Sequence, residues 1–194
     1  MDAVWPFGAG HLLPRGLLRE PLPELARAGF LVVTRSGLVG LERRQAIKDR
    51  LGKLAKGVPT ALCDTMIEGL RPLNEQTPAP IEATRLRQGR WAAFCGIGNP
   101  AGFQYTLQSC GYRVAEFREF PDHHRYTRSD VESLAAWADR LEVAAVLCTH
   151  KDLVKLAVDQ LGRRPLRAVR VGLEILAGRD ELETKLRAVL PRPC

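Results

Sequence analysis

Val114-Ala115-Glu116-Phe117-Arg118-Glu119-Phe120 followed by Pro121-Asp122-His123-His124 is the stretch from which the fold is read. The first seven residues predict a strand. Pro121 ends it, because proline has no N–H to give to a ladder. Asp122, His123 and His124 then sit at the strand's carboxyl end. In an open parallel α/β sheet that edge is where ligands bind, so a carboxylate beside an imidazole there is the strongest candidate for chemistry in the chain. The carboxylate orients the ring and favours its protonated form, which suits a proton acceptor working near neutral pH. The competing reading is a chance pair in a surface loop.

Working outward, the same kind of strand recurs between helical patterns. Trp91 to Cys95 predicts a strand, Pro100 to Cys110 a helix, Ser129 to Arg140 a helix and Ala144 to Thr149 a strand. Lys151 to Leu161 predicts a helix, Leu166 to Leu176 a strand and Asp180 to Leu190 a helix. Strands alternating with helices of about a dozen residues imply βαβ crossovers and a parallel sheet with helices on its faces, a Rossmann-like α/β/α sandwich. Upstream, Phe30 to Thr34 reads as a buried strand, Leu41 to Lys56 as an amphipathic basic helix and Thr60 to Leu73 as an extended strand. Basic helices of this type are mostly solvated faces, with membrane-surface contact the minority use. The proline-rich segment Asn74 to Ile81 predicts a linker between two units, residues 1–75 and 76–194. The first unit, with its few elements, is expected to be too small to enclose a core by itself.

With 194 residues, 45% of them apolar and 26% charged, the chain has the composition of a globular protein. A net charge of +7 favours anionic partners: phosphorylated small molecules, an acidic lipid surface or nucleic acid. Aromatic residues are only 6% and no basic run is interleaved with stacking rings, so no nucleic-acid partner is expected. Five cysteines (Cys63, Cys95, Cys110, Cys148, Cys194) lack ligand spacing and fit a reducing compartment, with Cys95 and Cys148 as small core residues. No leader and no apolar run of membrane-spanning length stands out, so a soluble chain, or one held at a membrane surface, is expected.

Three further stretches carry possible chemistry. Gly96-Ile97-Gly98-Asn99-Pro100-Ala101 satisfies the dinucleotide pattern G-x-G-x-x-A, with Glu116 or Glu119 as the downstream acid; glycines also make tight strand-to-helix turns without any ligand. Asn99 suits an N-cap and Pro100 the first helical position. Thr149-His150-Lys151-Asp152 opens the next helix, where Lys151 meets a phosphate or is simply solvated. The loop from Asp2 to Pro23 is long enough to be functional, and Arg19 and Glu20 within it are either site residues or a surface ion pair. The chain contains no G-x-x-x-x-G-K-[ST] loop, no G-x-S-x-G and no H-E-x-x-H.

Taken in order, Pro6-Phe7-Gly8, Leu13 to Pro21, Phe94 to Pro100, Phe120 to His124 and Thr149 to Asp152 resemble the carboxyl-terminal half of the tetraacyldisaccharide 4'-kinase family. That resemblance implies a P-loop kinase of two α/β/α lobes joined by a β linker, of which residues 1–75 would be a partial remnant of the kinase lobe and 76–194 the smaller lobe. It implies transfer of the ATP γ-phosphate, with Mg²⁺, to the 4'-hydroxyl of a lipid-linked disaccharide at the cytoplasmic face of the bacterial inner membrane, in lipid A biosynthesis. His123 resembles the histidine that pairs with a catalytic aspartate of the other lobe, with Asp122 its neighbour. Arg19 and Glu20 resemble the pair near the nucleotide, Glu20 also as a metal ligand, while Lys151, Gly96, Gly98 and Asn99 are candidate substrate, nucleotide or cofactor contacts. His150 departs from the family, which usually has glutamate before Lys-Asp. The family's Walker loop and catalytic aspartate are expected ahead of the segment matching Asp2, so the chain is expected to be inactive without an amino-terminal half. The rival expectation is a non-catalytic Rossmann-like nucleotide- or phosphate-binding module.

Overall fold

A computed structural model describes residues 1–74 and 89–190. Apart from Asn74, the expected linker lies outside the described residues. The chain forms two compact units, Met1–Thr65 with Leu173–Cys194, and Met66–Gly172. Residues 173–194 therefore group with the first unit, although the chain order sets them after the second.

Unit 2 is built on β3 (Arg90–Cys95), β4 (Arg113–Glu119) and β5 (Ala145–Thr149), together with the parts of β2 (Thr60–Arg71) and β7 (Arg164–Ala177) that fall within it. The helices α2 (Pro100–Ser109), α3 (Arg128–Arg140) and α4 (His150–Leu156) connect them. Strand order in this unit is β2-β7-β5-β3-β4. The pairs β3–β4, β3–β5 and β5–β7 are parallel. The α/β class is therefore the one the alternation implied.

Side chains of β3 divide by parity, as a pleated strand requires. Ala92 and Phe94 join a buried cluster with Leu134, Trp137 and Ala138 of α3 and Leu153 and Leu156 of α4. Trp91, Ala93 and Cys95 join a second cluster with Phe103 and Leu107 of α2. The sheet of this unit is thus covered on both faces, which is why its central strands are continuous apolar runs. Each fully buried leucine or phenylalanine contributes roughly 2 kcal/mol of transfer free energy. On α3 the buried positions 134, 137 and 138 follow helical spacing, and Trp137 Nε1 donates to Glu116 Oε2 at 2.6 Å.

One element differs from expectation. The helix predicted over Lys151 to Leu161 stops at Leu156, where Ala157 adopts a left-handed φ of 52°. Gln160–Leu161 then forms β6, antiparallel to Pro165 and Arg164 of β7. Leu161 keeps its buried position from the strand rather than from a helix face, and apolar spacing alone does not separate the two.

Unit 1 contains β1 (Leu31–Val33), parallel to the start of β2, with α1 (Leu41–Leu54) and α5 (Arg179–Val189). Contrary to the sequence expectation, it encloses a core. Leu31, Val33, Ile47, Leu51 and Leu62 are buried together with Ala3, and Phe7, Leu25 and Ala177 pack against them. The irregular amino-terminal segment supplies part of this cover: Ala3 N–H donates to Thr34 O (2.9 Å) and Thr34 N–H to Met1 O (2.7 Å), alongside β1. Loop residues that look structureless in sequence thus act as an extra edge and close the apolar face.

Candidate functional site

Because β3, β4 and β5 are parallel, their carboxyl ends bring Gly96 to Asn99, Phe120 to His124 and Thr149 to Asp152 to one rim of unit 2. Of the candidate residues, Asp122, His123, Gly96, Gly98, Asn99 and Lys151 all belong to these rim segments. Arg19 and Glu20 belong to unit 1.

His123 stands out at this rim, its side chain 86% exposed, on a left-handed backbone with φ 59°. Such a conformation costs a non-glycine residue on the order of 1 kcal/mol and concentrates at functional sites. The expected carboxylate–imidazole hydrogen bond is not formed. Asp122 Oδ1 accepts the backbone N–H of His123 at 2.9 Å, and its Oδ2 lies 3.8 Å from His123 Nε2, beyond hydrogen-bond distance. Asp122 therefore shapes the turn and keeps a negative charge near the ring.

The hydrogen-bonded pair is the next one along. His124 Nε2 lies 3.1 Å from Asp130 Oδ2, and its ring packs against Phe120 and Tyr126, with centroids 4.9 and 5.0 Å away. Asp130 also closes a capping box at the start of α3, accepting Thr127 N–H at 2.7 Å and the Thr127 hydroxyl at 2.8 Å. Hydrogen bonds from Thr127 first, then from His124, hold its carboxyl below the usual carboxylate value. The two adjacent histidines thus have opposite fates: one is fixed to the fold and the other is presented to solvent.

Beneath the rim lies Asp152, with no solvent exposure. Its Oδ2 accepts the Thr149 hydroxyl (2.6 Å) and the Gly96 N–H (3.3 Å), and its Oδ1 accepts the Tyr126 hydroxyl (3.1 Å). One carboxylate therefore ties together the ends of β3 and β5 and the loop after β4. Burial, followed by the Asp152 charge, pushes Cys95 up to about 11 and raises Cys148 and Tyr126 as well, so these groups stay protonated at neutral pH. Sequence reading missed His124, Tyr126, Asp130 and Asp152 as a set. The available signal was the repeated T-x-x-D at Thr127 to Asp130 and Thr149 to Asp152, a capping pattern.

The glycines of the G-x-G-x-x-A stretch are needed for this packing. A Cβ at Gly98 would stand 3.0 Å from Asp122 Oδ2, and one at Gly96 would stand 3.1 Å from the Tyr126 hydroxyl and 3.3 Å from Asp152 Oδ1. Asn99 caps α2 by accepting Gly102 N–H at 3.1 Å. Glu116, one candidate for the downstream acid, already accepts from Trp137. The side on which either glycine would carry a Cβ is thus taken up by the chain's own side chains. Lys151 is exposed in the first turn of α4.

In unit 1, Glu20 Oε2 pairs with Arg27 Nη2 at 2.7 Å, and Arg27 also holds Glu24. Glu20, Glu24 and Arg27 line a cleft of about 650 Å³ with Leu18, Leu22 and Leu25. Arg19 is exposed. Among the described residues no cluster of three or more His, Cys, Asp or Glu side chains is placed to hold a metal ion. One carboxylate already paired to arginine does not by itself make a Mg²⁺ site. Among them, no helix is long and apolar enough to cross a membrane.

Comparison with known proteins agrees with the motif reading. The family model described as LpxK, tetraacyldisaccharide-1-P 4'-kinase, matches residues 1–191. A tetraacyldisaccharide 4'-kinase of Anaeromyxobacter sp. (strain K) is 40% identical over 208 aligned residues, covering 100% of this chain and 52% of that protein. One from Paramagnetospirillum magneticum is 36% identical, covering 84% of this chain and 44% of its own length. The crystal structure of "apo" form LpxK from Aquifex aeolicus in complex with ATP superposes with a TM-score of 0.60 at 25% identity, over 94% of this chain and 49% of that one. This chain spans about half the length of the relatives it matches.

Proposed function

The chain belongs to the tetraacyldisaccharide-1-P 4'-kinase family, and from that premise we propose that it is the carboxyl-terminal portion of a lipid A 4'-kinase, with His123 as its contribution to the chemistry. The reaction is transfer of the ATP γ-phosphate to the 4'-hydroxyl of a tetraacyldisaccharide 1-phosphate, with Mg²⁺ and at the cytoplasmic face of the inner membrane. Phosphoryl transfer depends mainly on positioning and charge stabilisation. The P-loop and the metal ligands are assigned to an amino-terminal half of the enzyme.

The observation that carries this reading is the contrast at the rim. His124 is locked to Asp130, while its neighbour His123 is held out on a strained backbone with a carboxylate nearby. An exposed imidazole accepts the proton of a sugar hydroxyl as that oxygen attacks, and the nearby Asp122 charge stabilises the imidazolium that forms. Arg19 and Lys151 are assigned to anion contact and Glu20 to a polar contact in the nucleotide or substrate region. The test is complementation. This chain joined to the amino-terminal half of the Anaeromyxobacter relative should phosphorylate the lipid acceptor, His123→Ala should lower its rate by about 100-fold or more, and the chain alone should show no turnover. Normal rates from the chain alone, or an unimpaired His123→Ala fusion, would overturn the proposal.

A further inference from the structure

The helix α5 places Leu182, Leu186 and Val189 at i, i+4 and i+7, and Leu190 follows at its carboxyl cap. That spacing is the apolar stripe of an amphipathic helix, yet no residue of α5 is buried. Leu186 is 48% exposed, Val189 77% and Leu190 63%, and the strand segment leading into the helix leaves Leu173 and Leu176 exposed as well. We propose that this stripe is a docking surface of unit 1, and that its occupant is the amino-terminal half of the enzyme. The identity of the occupant rests on the kinase reading, whereas the uncovered stripe does not.

A helix of 11 residues is marginal in water, because most helical stability in proteins comes from packing an apolar face. The root of α5 is fixed to unit 1: a Cβ at Gly178 would stand 2.6 Å from Thr60 O, and Ala177 packs against the core. From Thr184 to Leu190 every residue is exposed. Its later turns therefore carry an apolar face without the packing that such a face normally serves.

Charge separates the candidate occupants. The helix holds three acidic residues, Asp180, Glu181 and Glu183, and three basic ones, Arg179, Lys185 and Arg187, and Glu183 lies 3.7 Å from Arg179 and 3.6 Å from Arg187. A helix that lies on an anionic bilayer is rich in Lys and Arg on its polar face, and α5 has no such excess. An apolar strip edged by both signs of charge matches a protein surface, apolar at its centre and polar at its rim. A second copy meeting stripe to stripe would bury few side chains per copy, short of the roughly 1,000 Å² that a stable interface needs. Length then points to the partner. This chain spans about half the length of its relatives, and the family match runs through α5 to residue 191. The helix is thus part of the shared fold, and the other half of the relatives is the polypeptide at hand to cover it.

The test is hydrogen exchange on the full chain and on the same chain joined to the amino-terminal half of the Anaeromyxobacter relative. Amides of residues 184–189 should exchange about tenfold or more slowly in the joined protein. Leu186→Asp and Val189→Asp alter exposed positions, so they should leave the melting temperature of the chain alone unmoved, lower that of the joined protein and remove the added protection. Leu186→Ala, which keeps helix propensity, should show the same effect more weakly, so the loss is not one of helicity. Equal exchange in the two proteins, or a joined protein indifferent to all three variants, overturns the docking surface. The chain alone is also followed by light scattering and with phosphatidylglycerol vesicles. A dimer that Leu186→Asp dissolves, or vesicle binding that it abolishes, gives the stripe to a second copy or to lipid and overturns the assignment to the amino-terminal half. None of these measurements reads turnover: an unimpaired His123→Ala fusion would overturn the kinase reading and leave them standing, so the two failures are distinguishable.

Discussion

The Tyr126 hydroxyl donates to Oδ1 of Asp152 at 3.1 Å, and Asp152 has no exposure to solvent. This bond joins the loop after β4 to the start of α4. With the Gly96 and Thr149 contacts, it makes one buried carboxylate the common anchor of the rim.

Removing that anchor should be costly. Asp152→Ala leaves the Tyr126 and Thr149 hydroxyls and the Gly96 N–H without their acceptor, and should destabilise unit 2 by about 3 kcal/mol. Asp152→Asn keeps the volume and one acceptor oxygen and should cost less. Urea denaturation checks both, and an unchanged midpoint for Asp152→Ala would refute the anchoring role.

The adjacent histidines should behave oppositely. His124→Ala loses a hydrogen bond and two ring contacts and should cost roughly 1–2 kcal/mol. His123→Gly relieves the left-handed backbone and should be neutral or stabilising by about 0.5–1 kcal/mol, while abolishing activity of the complemented enzyme. Thermal melts beside kinase assays on the same variants separate the two roles.

Gly98→Ala should act through Asp122. The added methyl would lie 3.0 Å from Asp122 Oδ2, closer than most real contacts, so the carboxylate must move away. Activity of the complemented enzyme should fall with little change in unfolding temperature, whereas full activity would show that the placement of Asp122 is immaterial.

Acid should loosen the start of α3 through Asp130. Its folded-state value lies below the ordinary 3.8, so its contribution is fully present above that unfolded value and is lost as pH falls through the depressed folded one. Amide exchange at Thr127 and Asp130, followed below pH 4, should accelerate in the native chain, and Asp130→Asn should remove the pH dependence.

Among the described cysteines, Cys95 and Cys148 are buried with their thiols raised, while Cys110 is only half-buried. Brief iodoacetamide treatment at pH 8 should label Cys110 before either of the others, since the thiolate is the reactive form. Mass spectrometry of the peptides reads this directly.

How much of this was legible beforehand varies by element. Strands β3 and β5 were plain because a strand buried on both faces must be apolar throughout. The start of α2 was plain because Asn99 and Pro100 are cap chemistry. The early end of α4 was not, because Leu153, Leu156 and Leu161 fit a helix as well as a helix followed by a hairpin, and the pairing of Gln160–Leu161 with β7 is a non-local event. The enclosed core of unit 1 was hidden for the same reason: the loop residues that cover it are defined by what they dock on.

By itself the amino-acid sequence determined the α/β class, the rim on which most of the candidate residues sit and the family, since periodicity, caps and motif order are local properties of the chain. The tertiary structure alone decided which carboxylate serves which imidazole. Asp122 is next to His123 in the chain yet hydrogen-bonds its backbone, while Asp130 and Asp152 reach their partners across turns and between strands. Hydrogen bonds depend on ångström-scale distance and direction, which neighbouring positions in a sequence do not specify.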